Sequence, residues 1–176
     1  MIAVHDLAVR AQAGGGTVRL RPAGTEDAPE LYRLSVRSMP DALVERRPEF
    51  YRRHAGEFVV CVVDGTIAGC LGVQRFGALA ELYNLCVGAV WRGRGLGGLL
   101  TASAVLTQHL ARVPEVVLFS RTAVTWFASL GFEPADESIL PAERLDLIDR
   151  CRGSQLLRRP TRPDDLLIAA LRAGAP

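Results

Sequence analysis

Glu81–Leu100 reads ELYNLCVGAVWRGRGLGGLL. Its first part, Glu81-Leu82-Tyr83-Asn84-Leu85-Cys86-Val87, is an apolar-rich run of strand length. A turn with Gly88 and Val90-Trp91 leads into Arg92-Gly93-Arg94-Gly95-Leu96-Gly97-Gly98, and a helical pattern follows from Leu99-Leu100 through Val105-Leu106 to His109-Leu110. Strand, glycine-rich basic turn and helix together make a phosphate seat. Glycine lets the backbone approach the anion, the first-turn N–H groups have no intrahelical partners, and the helix dipole favours negative charge there. Arg92 and Arg94 add permanent charge and fork-shaped donors.

Working outward, Thr17–Arg21 alternates as a first strand, and Thr25-Glu26-Asp27 opens a helix that ends near Pro40. Asp41 can cap a second helical stretch from Ala42 to Arg53, interrupted or bent at Pro48. Asp64-Gly65 between two β-rich runs, 57–63 and 66–73, predicts a hairpin. Beyond the central helix come a short strand, Val116–Phe119, and a helix from Ala123 to Leu130 stopped by Gly131. A helix from Leu140 to about Arg150 follows, then a last strand at Ser154–Arg158. Pro160 and Pro163 break order before a small amphipathic helix, 164–172. The order predicts an α/β (α+β) fold, a mixed sheet of six to seven strands with helices on both faces. Residues 1–16, ending in Gly14-Gly15-Gly16, read as a flexible lead-in, 17–160 as the domain, and 161–176 as a tail.

At 176 residues the chain fits one domain with a real core. A formal net charge of +2, with no block of like charge, points away from nucleic acid as partner. No run reaches the roughly 18 apolar residues needed to span a bilayer, and the N-terminus does not read as a signal peptide. The four cysteines are far apart without metal-ligand spacing, so no metal is expected. A reduced cytoplasmic protein fits these features.

Three readings compete for the glycine turn. Gly93-x-Gly95-x-x-Gly98 satisfies a dinucleotide fingerprint, but the strand after the helix ends in Ser120-Arg121 rather than in the acidic residue such a site expects. A bare tight turn also uses glycine. No Gly-Lys-Ser/Thr follows, which excludes a Walker loop. The third reading takes in the neighbours. Arg92-x-x-Gly95-x-Gly97 between a strand ending Leu85-Cys86-Val87 and a Leu-Leu helix resembles the pyrophosphate loop of the GNAT superfamily of acetyl-CoA-dependent N-acetyltransferases. Trp126-Phe127-x-x-x-Gly131-Phe132 and Asp64-Gly65-x-Ile67-x-Gly69 extend the resemblance over roughly 17–158. Within the superfamily the likeness is to the acetyltransferase domain of N-acetylglutamate synthase. It is carried by Leu43-Val44-x-Arg46, Gly69-Cys70, Ala80-Glu81-Leu82, Leu85-x-Val87, Leu140-Pro141 and Arg152-x-Ser154. The amino-acid-kinase-like domain that accompanies it in many relatives, with its arginine feedback, is not expected here.

The resemblance implies acetyl-CoA as co-substrate, a small-molecule amine as acceptor, an arginine-biosynthesis-like reaction and a homodimer. Its thioester would lie along Leu85-Cys86-Val87 with the carbonyl facing the Val87 amide. The pyrophosphate would take the N–H groups of Arg92, Gly93, Arg94, Gly95, Leu96 and Gly97, with Gly98 behind them. Glu81, the single acid on an apolar strand, matches the family's catalytic glutamate and is the candidate general base. Phe127 stands where many relatives have a tyrosine acid, which leaves Ser120 or Tyr83 as candidate proton donors. Tyr83 is two residues from Glu81 and shares its face. Arg152 and Ser154 match residues that hold an acceptor carboxylate, and Arg46 lies on the acceptor side. Glu45 and Gln74 replace cations of the glutamate-acetylating enzymes, so a basic or neutral amino acid, or another small amine, fits better than glutamate. An acyl-CoA sensor without catalysis stays open. Cys86 invites a covalent mechanism, but no histidine is placed to activate it, and direct attack by the amine needs no acyl-enzyme.

Overall fold

The computed structural model describes residues 11–13, 16–38, 46–148 and 153–173. Among the described residues eight strands form one mixed sheet: β1 (Ala11–Ala13), β2 (Gly16–Pro22), β3 (Phe58–Val63), β4 (Thr66–Phe76), β5 (Leu79–Val87), β6 (Glu115–Ser120), β7 (Glu133–Pro134) and β8 (Gln155–Pro160). Their spatial order is β1-β2-β3-β4-β5-β6-β8-β7. The helices are α1 (Ala28–Ser38), α2 (Pro48–Arg53), α3 (Leu96–Leu110), α4 (Val124–Ser129), α5 (Ala142–Leu145) and α6 (Asp165–Ala173). All strand pairs are antiparallel except β5 with β6, which α3 joins as a crossover.

The β3–β4 hairpin turns on Asp64 (φ +48°) and Gly65 (φ +80°), two consecutive left-handed residues whose twist matches the flanking strands. Alternation divides each strand between two faces. Val59, Cys61 and Val63 of β3, Ala80 and Leu82 of β5, and Val116 and Leu118 of β6 meet α3 in the main core. Phe58 and Val60, with Cys70 and Cys86, meet Leu31, Leu34 and Tyr51 of α1 and α2 on the opposite face. Leu79 and Val117 meet Leu140 and Leu156 farther along that second face.

Four expectations are corrected and one alternative is decided. The lead-in contains β1, which pairs with β2 in the register Ala11↔Val18. Of the two readings at Pro48, interruption holds: α2 starts there, where the missing N–H costs nothing, while 41–45 lie outside the described residues. The helix expected from Leu140 to Arg150 is the single turn α5, with 149 and 150 outside the described residues. Pro160 does not break the last strand but closes it opposite Glu115, at a sheet end where no ladder donor is needed. The tail helix α6 is part of the domain: Leu167 and Ala170 are buried in the main core, and the buried Arg159 of β8 pairs with Asp164 just before it.

Candidate active site

The central observation is where β5 and β6 part. Their pairing covers only Leu79↔Glu115, Ala80↔Val116 and Glu81↔Val117, after which β6 continues alongside β8 and the β5 edge is left open. The same length of β5 carries a bulge. Against β4 the register steps from Gly72↔Tyr83 to Cys70↔Cys86, so Leu71 faces two residues, and Asn84 takes φ +55°. Asparagine is among the few non-glycine residues that tolerate this conformation. The extra residue inverts the alternation. Tyr83 belongs to the α1–α2 face, whereas Leu85 and Val87 pack on the α3 face. Gly88 N donates to Ala68 O at 2.9 Å, so the neighbouring Val87 peptide edge turns away from β4 and into the opening. Val87 O accepts there from Arg92 Nε at 3.2 Å and from Ser38 Oγ at 3.4 Å.

A cavity of about 400 Å³ fills the opening, within the usual range for small-molecule sites. Leu85, Val87, Gly97, Ser120, Trp126 and Phe127 are on its wall. It adjoins a second recess of about 370 Å³ beneath the glycine turn, bounded by Gly93, Gly95, Leu96, Gly97, Gly98 and by Ala170 of α6. Gly93 (φ +74°) and Gly95 (φ +75°) both need left-handed backbone, and Gly95 caps α3 without any side-chain bond across the helix start. A side chain at Gly97 would press on Trp126, whose ring lies 3.4 Å from the position of such a Cβ.

The sequence candidates divide. Arg92 lends structure more than charge: its guanidinium bonds the Val87 and Ser38 carbonyls, pinning the loop to the ends of β5 and α1. Arg94 lies over the Trp91 ring at 5.2 Å. Cys86 does not face the opening; its thiol is buried on the α1 side near Ser35, because the bulge has reversed the strand's faces. Ser120 lines the cavity and accepts the Ala123 N–H at 3.1 Å, which closes the turn into α4. Tyr83 also lines the cavity, and its hydroxyl donates to Glu57 Oε2 at 2.7 Å. Burial, together with the Glu57 carboxylate, pushes its phenol pKa up. Arg46 covers the Phe50 and Tyr83 rings at 4.4 and 4.8 Å. Gln74 is exposed on β4 directly opposite Glu81. Ser154 precedes β8, while Glu45 and Arg152 lie outside the described residues.

Glu81 is 7% exposed, at the last paired position before the opening and not on the cavity wall itself. Arg144 of α5 grips its carboxylate with both Nε and Nη2, the latter at 2.9 Å from Oε1. That fork holds the guanidinium charged, and Arg144 also lies 4.9 Å above the Phe119 ring. Sequence reading missed Arg144, since nothing local distinguishes one arginine in a short helix from a solvated one. Asn84, a polar residue amid an apolar strand, is a signal that could have revealed the bulge. Among the described residues no group of histidine, cysteine and carboxylate side chains could hold a metal, and no helix is long and apolar enough to cross a membrane.

Comparison with known proteins matches residues 54–134 to the acetyltransferase (GNAT) domain. The amino-acid acetyltransferase of Azotobacter vinelandii is 32% identical over 158 residues, 83% of this chain and 36% of the relative. That of Neisseria meningitidis is 28% identical over 147 residues, 81% of this chain and 34% of the relative. This chain thus spans about a third of the length of the curated relatives it matches. Among solved structures, N-acetylglutamate synthase from Neisseria gonorrhoeae, complexed with coenzyme A and N-acetyl-glutamate, superposes with a TM-score of 0.78 at 27% identity, over 83% of this chain and 35% of that one. The ribosomal-protein-S18-alanine N-acetyltransferase of Escherichia coli shares the fold, with a TM-score of 0.66 at 19% identity over 84% of this chain and 96% of that one. The chain belongs to the GNAT acetyltransferase family.

Proposed function

We propose that the chain transfers acetyl from acetyl-CoA to the amine of an amino acid. The parting of β5 from β6 carries this reading, because it exposes the Val87 peptide edge beside a glycine-capped helix start. The diphosphate of the cofactor would rest on the amides from Gly93 to Gly97, where aligned N–H groups and the helix dipole favour it. The pantetheine arm would continue through the opening past Trp126, and the thioester carbonyl would meet the Val87 N–H as negative charge develops on its oxygen. The residues present fit that ligand: glycines where backbone must come close, and a largely apolar cavity of about 400 Å³ beside them. An amino acid as acceptor is supported by the names of the curated relatives and by the N-acetyl-glutamate bound in the gonococcal structure.

Glu81 is the proposed general base. Arg144 takes up two of its roughly four lone-pair sites, which leaves the carboxylate able to accept a proton through a bridging water. Ser120, on the cavity wall, is the proposed donor to the departing thiolate. Arg46, Gln74 and Ser154, with Glu45 and Arg152, are proposed to set the acceptor. A cytoplasmic setting and a homodimer complete the proposal.

The test is thiol release from acetyl-CoA with a panel of amino acids and other small amines. The reading predicts turnover on at least one amino acid and about a 10²-fold loss of kcat in Glu81→Gln. Acetyl-CoA uptake without acetylation of any amine contradicts it and makes the chain a sensor.

A further inference from the structure

Three parts of the chain wall the recess beneath the glycine turn. The turn itself and Trp91 form one part, Trp126 and Leu130 at the two ends of α4 a second, and Ala170 and Ala173 of α6 a third. Val87, Arg92, Gly97 and Trp126 bound both the recess and the larger cavity, so the two spaces are continuous. A thioester arm that occupies the cavity leaves its nucleotide end to the recess. We propose that α6 is part of the cofactor site: Ala170 and Ala173 wall the nucleoside end of acetyl-CoA, so that this helix selects a nucleotide-bearing carrier. The inference rests on the acetyl-CoA reading above and adds α6 to its site.

The side of α6 that meets the recess follows from its period. Leu167, Ala170 and Ala173 are three residues apart and share one face of the helix. Leu167 is buried in the main core, and Ala170 stands against the glycine turn, its Cβ 3.5 Å from where a Cβ on Gly98 would lie. One turn beyond Leu167 and Ala170, Ala173 has left the core and is exposed, and it borders the recess. This wall is anchored. Asp164 Oδ1 accepts the Leu167 N–H at 2.9 Å at the start of α6 and pairs with Arg159 at 2.7 Å. Arg159, 1% exposed, also donates through Nη1 to Leu130 O, where α4 ends. One buried guanidinium thus ties α4 and α6 together and fixes the spacing of two of the recess's walls.

The lining suits a nucleoside joined to a diphosphate. Amides of the glycine turn and of the first turn of α3 serve the anionic part. Away from them the wall is apolar, made by Trp91, Trp126, Leu130 and the two alanines, and among the described residues no carboxylate lines it. A purine and its sugar need such a surface, with aromatic and aliphatic groups and no negative charge beside the phosphates. A pantetheine thioester without the nucleotide has the same reacting end but nothing to place here.

The experiment compares acetyl-CoA with S-acetylpantetheine, which carries the same thioester and arm and lacks the nucleotide. Calorimetry gives the Kd of acetyl-CoA, and steady-state kinetics with the amine that the parent acetylates best gives kcat/KM for each donor. Ala173→Trp, at the exposed end of α6, fills the recess. It is expected to raise that Kd about tenfold and to lower the ratio of kcat/KM for acetyl-CoA over S-acetylpantetheine about tenfold. Ile168→Trp adds the same indole to the outer face of α6 and is expected to keep the parent's Kd. A helix that only packs on the core produces no such split between the donors. If Ala173→Trp does not fold, Ala173→Leu decides with the same readouts. A parent-like Kd in the Ala173 variant, or an equal loss with both donors, overturns the role of α6 and leaves the acetyl transfer standing. A parent that takes up no acetyl-CoA overturns both.

Discussion

Gly95 holds φ at +75° at the residue that caps α3, where an L side chain would clash with its own backbone. Gly95→Ala is expected to cost about 1 kcal/mol, a fall of about 2–4 °C in Tm for a chain of this size. It should also weaken acetyl-CoA uptake by more than that loss of stability accounts for, because a methyl group would stand in the proposed diphosphate seat. Differential scanning fluorimetry with and without the ligand separates the two effects. Asp27 poses a question of pH instead. The Arg21 guanidinium, at 2.6 and 2.9 Å, and the Gly24 amide hold its carboxyl below the ordinary value of 3.8. A depressed carboxylate contributes stability that is complete above its unfolded pKa and is lost as pH falls through the folded one. Asp27→Asn is thus expected to be about 1.5–3 kcal/mol less stable at pH 7. The deficit should shrink once the pH drops below that ordinary value. Urea melts of both proteins across acid pH check the sign.

At the scale of elements, the bulge at Asn84 decides which side chains reach the cavity. Strict alternation puts residues 81, 83, 85 and 87 on one face, whereas the extra residue sends Glu81 and Tyr83 to one side and Leu85 and Val87 to the other. The hairpin at Asp64-Gly65 and the passage from strand through glycine turn to helix were legible because each is settled by backbone preferences of adjacent residues. The Glu81–Arg144 fork was not, since it joins residues 63 apart through the docking of a one-turn helix. The Tyr83–Glu57–His54 chain of hydrogen bonds was hidden for the same reason, joining β5 to the end of α2 across two strands that intervene in sequence. Gly72 lies beneath the Tyr83 ring at the bulge. Gly72→Ala is expected to destabilise by about 1–3 kcal/mol through overpacking against the Tyr83 ring. Urea denaturation of the parent and the variant measures that loss.

At the scale of the molecule, the described residues form one sheet with α3 and α6 on one face and α1, α2 and α5 on the other, its cleft opening where the parallel β5–β6 pair ends. The sequence reading set α6 apart as a tail because two prolines precede it; its docking depends on tertiary contacts that no local pattern reveals. Leu167 of α6 is 3% exposed within the main core, and Ala170 packs against Gly98 of the glycine turn. Leu167→Ala is accordingly expected to cost about 2–5 kcal/mol, as for other core leucines, where a loosely attached tail would show almost none. The most direct test of the account is calorimetric titration of the parent protein with acetyl-CoA and, separately, with NAD. The account predicts saturable one-to-one uptake of acetyl-CoA, displaced by coenzyme A, and none of NAD. Absence of acetyl-CoA uptake, or equal uptake of NAD, would contradict it.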